Sequence, residues 1–427
     1  MKLGNSALRI LAAVIAGVVV LTILGVVLLG NYGTPGVEFY HSGLSRDTSP
    51  NVTREDFAEL VAGNTGFALD LYQRVRASEG NLFFSPYSIS LALAMTYAGA
   101  RGPTAQEMAE VLRFTLPQER LHPAFDALDL ALMAQNSENF RLNIANSIWG
   151  QIGFEFKREF LDVLAVNYGA GLRGLDFQGD PEAARVRIND WVGEQTNEKI
   201  KDLIPLGAID TYTRLVLTNA IYFNAMWQHP FSENLTADGV FTLRDGSQVT
   251  VPMMSWPKSE SIRYSKGEGY QAVELPYRDT SVAMLVILPE SFEEFEAGLT
   301  VESLREIVGG LERQNVVVRM PKFRFEFPLD LTNALAGMGM PTAFTDRADF
   351  TGMADDRLFI SKVLHKSFVS VDERGTEAAA ATAVIMELTA TLPPPINVSL
   401  DHPFIFLIHD TSTGAVLFLG RVLDPRS

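Results

Sequence analysis

Glu373-Arg374-Gly375-Thr376-Glu377-Ala378-Ala379-Ala380-Ala381-Thr382-Ala383-Val384-Ile385-Met386-Glu387-Leu388-Thr389-Ala390-Thr391-Leu392-Pro393-Pro394-Pro395 is the stretch on which the reading of this chain turns. Its alanine run has the best helix propensity of any residue type. Against a helix stand the β-branched Thr382, Val384, Ile385, Thr389 and Thr391, and the triple proline that closes it. Read as a strand, Thr376, Ala378, Ala380, Thr382 and Val384 share one face, all small or β-branched, able to slip between two existing strands without a bulky clash. Glu377 then points to the other, wet face. More than twenty residues is too long for an ordinary connector and marks a functional segment.

Strand-like runs surround it. Leu215 to Phe223, Val282 to Leu288, Val316 to Phe325, Leu358 to Val371, Phe404 to Ile408 and Val416 to Val422 are short β-branched or aromatic runs bounded by turn residues. Helical patterns crowd the first half. Phe57, Leu60, Val61, Phe67, Leu71 and Val75 recur at helical spacing; Pro86 opens a helix over Tyr87 to Ala100; Thr104 with Glu107 predicts a capping-box start for a helix to Leu112; Pro181 starts another to about Lys199. Helices first and strands later give an α+β fold with no regular βαβ alternation.

The N-terminus is of another kind. Ile10 to Leu29 contains no charged or strongly polar side chain except Thr22, and twenty helical residues cover about 30 Å, the thickness of a hydrocarbon core. Residues 1–30 are expected to be an anchor or signal segment. No A-x-A cleavage pattern follows, which favours an uncleaved anchor over secretion after signal cleavage. Lys2 and Arg9 before the span place the N-terminus in the cytoplasm and the rest outside, an extracytoplasmic body on the membrane. Residues 31–53, rich in Gly, Ser, Pro, Thr and Asn, are expected to form a flexible tether, with one domain over 54–427.

Composition narrows function further. In 427 residues there are no cysteines, which removes disulfides, thiolate catalysis and thiolate metal centres. A net charge of −16 argues against nucleic acid as partner. None of the six histidines lies in H-E-x-x-H, and G-x-S-x-G and the phosphate-binding loop are absent. Gly267-Glu268-Gly269-Tyr270-Gln271-Ala272 mimics a dinucleotide fingerprint, but Pro276 and the alternation after it predict a strand where the fingerprint needs a helix. No cofactor, metal site or catalytic residue is expected.

At this point the chain resembles the serpin family of protease inhibitors, over roughly everything after Arg54. Gly375-Thr376-Glu377 followed by four alanines and Thr382 is similar to the hinge of an inhibitory serpin's reactive loop. Five other motifs match in order: Asn81-Leu82-Phe83-Phe84-Ser85-Pro86-Tyr87-Ser88-Ile89, Leu217-Thr218-Asn219-Ala220-Ile221-Tyr222-Phe223 with Trp227, Met320-Pro321-Lys322-Phe323, Val363-Leu364-His365-Lys366, and Asp401-His402-Pro403-Phe404-Ile405-Phe406. Asn224-Ala225-Met226 departs from the basic, Gly-containing step common before Trp227, and the loop after the hinge is about three residues longer than usual.

The resemblance implies a large central sheet that accepts the reactive loop, and a suicide-substrate inhibitor of serine, or cysteine, proteases rather than an enzyme. It places Ser85, Ser88, Asn219 and His365 beneath the centre of that sheet, as a polar cluster that breaks when the strands part. Trp227, Lys322 and Glu373 fall at the upper gateway of the loop, and Glu373, Gly375, Thr376, Glu377, Ala378, Ala379, Ala380, Ala381 and Thr382 form its hinge. Counting from Gly375 sets the scissile bond at Thr389-Ala390, with Leu388-Thr389 and Glu387-Leu388 as neighbours; counting back from Pro403-Phe404 gives Leu392-Pro393. No Lys or Arg occurs from Gly375 to Gly420, so an elastase-like or subtilisin-like target is expected and a trypsin-like one is not. The implied partner is a target protease in covalent complex with a monomer. The competing reading is a non-inhibitory serpin that acts as a surface carrier or interaction protein.

Overall fold

A computed structural model describes residues 36–376 and 394–426. The proposed span at residues 10–29 lies outside the described residues. Among those described, no helix is long and apolar enough to cross a membrane. Hinge residues Glu377 to Thr382 and the bond residues Leu388, Thr389 and Ala390 also lie outside them.

In chain order the strands are β1 (Glu38–Tyr40), β2 (Leu82–Phe84), β3 (Phe140–Gln151), β4 (Leu172–Leu175), β5 (Leu215–Met226), β6 (Ala237–Thr242), β7 (Gln248–Ser255), β8 (Glu260–Gly267) and β9 (Tyr270–Pro276). Then follow β10 (Val282–Pro289), β11 (Glu312–Pro321), β12 (Phe323–Asp330), β13 (Ile360–Val371), β14 (Gly375–Thr376), β15 (Ile396–Ser399), β16 (Phe404–Asp410) and β17 (Val416–Val422). They make a large sheet in the order β1-β4-β3-β5-β14-β13-β12 and a second, ten-stranded one running from β2 to β6, with β15 added to β11. Most of the helices fall in the first half, among them Arg54–Val75, Pro86–Tyr97, Gln118–Met133 and Pro181–Gln195. The fold is α+β, as expected. Tyr270–Pro276 is a strand, which disposes of the dinucleotide fingerprint.

The large sheet is covered on both faces. On one, the helix Pro181–Gln195 and the segment after it bury Ile188, Val192, Ile200 and Ile204 against Trp149, Val216, Ala220, Leu364 and Phe368. On the other lies the main core, with the helix Pro86–Tyr97, all of whose residues are buried.

Three local expectations change. The run Val316 to Phe325 is two strands in two different sheets, because Pro321 has no N–H to continue a ladder and the chain crosses over at Lys322. The helix to Leu112 starts at Gly102 with Pro103 in its first turn, and has no capping box. Thr104 Oγ1 instead accepts from the Asp349 amide at 2.9 Å, and the Glu107 carboxylate accepts from the amide and hydroxyl of Thr342 at 2.9 and 2.7 Å. The expected tether is part of the body from Glu38 onward: β1 pairs with β4 and forms the edge of the large sheet, and the Arg46 guanidinium reaches Asp126 and Asp129 at 2.7 and 2.6 Å. Its turn-rich composition conceals one short strand and one buried ion-pair anchor.

Candidate functional site: the seam of the large sheet

β5 and β13 are the two central strands of the large sheet. They pair directly and in parallel from Leu215↔Ile360 to Ile221↔Ser367. Above that level they part. Gly375 and Thr376 occupy the gap, antiparallel to Met226 and Ala225 on one side, while Thr376 faces Val371 on the other. The seam is thus closed below and wedged open at the top by Gly375 and Thr376.

Beneath the closed part lies the expected polar cluster, and all four predicted residues meet there. Ser85 caps the helix Pro86–Tyr97, its hydroxyl accepting from the Ser88 amide at 3.1 Å and donating to the Leu417 carbonyl at 2.6 Å. The Ser85 amide donates to His365 Nε2 at 3.3 Å, which leaves Nδ1 to carry the proton it donates to Asn219 Oδ1. Asn219 Nδ2 donates to Ser88 Oγ at 2.6 Å and also reaches Asn146 Oδ1. Asn146 closes the network by donating to the Ser88 carbonyl at 3.0 Å. Burial pushes the His365 imidazole down to about 3, so it is neutral at physiological pH.

Sequence reasoning missed Asn146. It stands in β3 directly opposite Asn219, which in turn stands opposite His365, so three adjacent strands each contribute one residue to a single polar row. Nothing local to Asn146 signals this; only the register does.

At the gateway the three predicted residues also converge. Lys322, at the corner between the sheets, holds the Glu373 carboxylate at 2.8 Å, and the Thr236 hydroxyl donates to the same carboxylate at 2.7 Å. Burial alone would push Glu373 up; the Lys322 ammonium and the Thr236 hydroxyl outweigh it and hold the carboxyl below its usual range. Trp227 donates from its amide to the Arg374 carbonyl at 2.8 Å and from its indole to the Asp372 carbonyl at 3.0 Å. Its ring stacks on Tyr277 with centroids 4.6 Å apart, and the Tyr277 hydroxyl meets Thr376 Oγ1 at 2.7 Å. Tyr277 and Thr236 were not anticipated. Both come from other elements and are brought to the gateway by the second sheet.

The serpin (serine protease inhibitor) family model matches residues 62–425. The chain belongs to the serpin family. Leukocyte elastase inhibitor of Sus scrofa is 42% identical over 379 residues, 86% of this chain and all of the relative. An uncharacterised serpin-like protein of Thermococcus kodakarensis is 40% identical over 372 residues, 86% of either chain. Among solved structures, the thermophilic serpin tengpin in its native state superposes with a TM-score of 0.80 at 30% identity, over 89% of this chain and 97% of tengpin. The serpin relationship supports protease inhibition, not catalysis, as the activity of this chain, with a protease as partner.

Proposed function

We propose that this serpin is a suicide-substrate inhibitor whose cleaved reactive loop inserts along the seam between β5 and β13. The observation that carries this reading is the gateway: Gly375 and Thr376 already occupy the first two positions of the path an inserting strand would follow. A target serine adds through its hydroxyl oxygen to the carbonyl carbon of Thr389. The bond to the Ala390 nitrogen then breaks, that nitrogen takes a proton from the protease's base, and an ester joins Thr389 to the protease. Release of the strand end lets the hinge continue downward between the two strands.

The driving force is the backbone ladder. About a dozen inserted residues bonded on both sides form on the order of ten hydrogen bonds at ~1 kcal/mol each, comparable with the whole stability of a domain, ~5–15 kcal/mol. The uninserted form is therefore metastable, and it is released only when the polar row under the seam gives way.

A target of small or apolar preference, elastase-like or subtilisin-like, accords with Leu388 and Thr389 and with the absence of Lys and Arg in the loop. Position outside the membrane, anchored by residues 10–29, rests on the sequence of that segment. The test is incubation of the protein with elastase, subtilisin, chymotrypsin and trypsin. An SDS-resistant complex with the first two is expected; capture of trypsin alone overturns the target assignment. A large rise in Tm on loop cleavage separates the inhibitor from a carrier, for which cleavage leaves Tm unchanged.

A further inference from the structure

A strand added along the seam moves the half of the large sheet made of β1, β4, β3 and β5 away from β13 by one strand spacing, about 4.8 Å. The polar row ties that half to the helix Pro86–Tyr97. Asn219 of β5 donates to Ser88 Oγ at 2.6 Å, and Asn146 of β3 donates to the Ser88 carbonyl at 3.0 Å. A second path joins the same two bodies, and it runs through the N-terminal segment.

β1 lies on β4 in the register Glu38↔Gly174, Phe39↔Arg173 and Tyr40↔Leu172. The seat is close: a Cβ at Gly171 would meet the Tyr40 carbonyl oxygen at 2.6 Å. On either side of Arg46 the chain is fastened to the helix Arg158–Tyr168, which connects β3 to β4. Ser42 donates to the Asp162 carboxylate, and the Asp47 amide donates to the Val166 carbonyl at 2.9 Å. Arg46 itself reaches across to the helix Gln118–Met133, from Nε to Asp126 at 2.7 Å and from Nη2 to Asp129 at 2.6 Å. That helix belongs to the helical body, where Arg120 pairs with Asp56 at 2.9 Å and Gln118 donates to the Tyr97 carbonyl at 2.8 Å. The other oxygen of Asp129 accepts from the hydroxyl of the buried Tyr87 at 3.0 Å.

The two paths leave the same half of the sheet and end on neighbouring residues of one helix, Ser88 and Tyr87. A parting of the seam that pulls Asn146 and Asn219 off Ser88 also loads the Arg46 bridge. If the bridge gives way, two buried carboxylates lose their cation, which is costly. We propose that residues 38–47 are a strap that locks the seam in parallel with the polar row, so that fastening or lifting it sets how fast the loop inserts. The inference rests on the inhibitory reading above. Because β4, β3 and β5 separate the strap from the hinge, the strap is released without any contact with the reactive loop, and the sheet is controlled from its far edge.

Gly43, Leu44 and Ser45 are exposed between the two fastenings, β1 and Arg46, which allows the link to be cut after the chain has folded. A recognition site for a site-specific protease that spares the reactive loop is inserted after Gly43, and half of the purified protein is cut there. Both halves are held at raised temperature, and conversion to the loop-inserted form is followed as loss of elastase inhibition and gain of a heat-resistant species. The cut protein is expected to convert about tenfold faster, with its rate of unfolding in urea changed less than about twofold. Equal conversion rates overturn the strap, and so does an equal acceleration of conversion and unfolding, which marks a mere support of the fold. Tyr87→Phe keeps the ring and removes the hydroxyl on Asp129; it is expected to speed conversion several-fold, and a wild-type rate overturns the path through Asp129. A wild-type protein that yields the heat-resistant form neither on heating nor on loop cleavage sinks the insertion reading itself, a result distinct from a protein that converts equally fast cut and uncut.

Discussion

Gly375 lies so close to Ala225 that a Cβ at position 375 would meet the Ala225 carbonyl oxygen at 2.0 Å and the Met226 α-carbon at 2.8 Å. Only glycine fits the first inserted position, because the hinge backbone passes directly against β5. Replacing Gly375 by Ala or Val should expel the hinge, break the Tyr277 to Thr376 hydrogen bond, and turn the inhibitor into a substrate. The measurement is the stoichiometry of inhibition of elastase, expected to rise about tenfold or more; an unchanged value would show that insertion does not pass through this contact.

Asn219 accepts from His365 and donates to Ser88 and to Asn146 of β3, so Asn219→Ala removes the centre of the polar row and leaves His365 Nδ1–H unpaired in a fully buried site. A loss of roughly 2–3 kcal/mol is expected in urea unfolding of the native form, together with faster spontaneous conversion to a loop-inserted, more heat-resistant state.

Acid should act through the same row. His365 titrates at about 3 in the folded chain and near its ordinary value of 6.5 when unfolded. As pH falls below about 6.5 the unfolded chain binds a proton that the folded one refuses, so stability declines from there toward pH 3, at up to roughly 1.4 kcal/mol per pH unit. His122, pushed down to about 4 by burial, adds the same sign over its own window. Urea midpoints measured from pH 7.5 to 4.5 should fall, and His365→Gln should flatten the slope without abolishing it. An identical slope in the variant would assign the effect elsewhere.

Lys322→Met should leave the nearly buried Glu373 carboxylate with Thr236 as its side-chain partner. Because Lys322 is itself 40% exposed, the expected loss is modest, about 1 kcal/mol. The depressed carboxyl of Glu373 contributes stability above its unfolded pKa that is lost as pH falls through its folded value; without the ammonium the folded value rises toward the unfolded one, so the acid-dependent loss should be smaller in the variant. Thermal melts of both proteins between pH 7 and 4 check the direction.

Arg46→Ala should cost about 3–5 kcal/mol, because Asp126 is fully buried and Asp129 nearly so, and both would be left without their cation. A change in Tm within error would mean that residues 36–53 behave as the loose tether that their composition suggests.

Much of this was legible in the chain itself. Val416–Val422 coincides with its strand, and the helix from Pro86 begins where its proline predicts, because periodicity and first-turn proline are local signals. β3 was not legible: in Phe140–Gln151 the alternation fails in the second half, where the strand is buried on both faces, and polar Asn143, Asn146 and Ser147 interrupt the apolar run. The capping box at Thr104 failed for a related reason, since Asp349 and Thr342 compete for the side chains that the local pattern had paired.

The sequence alone determined the family, the absence of a basic residue from Gly375 to Gly420 and the seven named residues that meet at the seam and its gateway, because each is a matter of residue type in a fixed order. Tertiary structure decided what those residues do to one another. Register sets Asn146, Asn219 and His365 in one row, and the crossover at Lys322 brings its ammonium to Glu373. These contacts span 51 to 146 residues of chain, and no local pattern encodes them; they exist only once two strands have chosen their alignment.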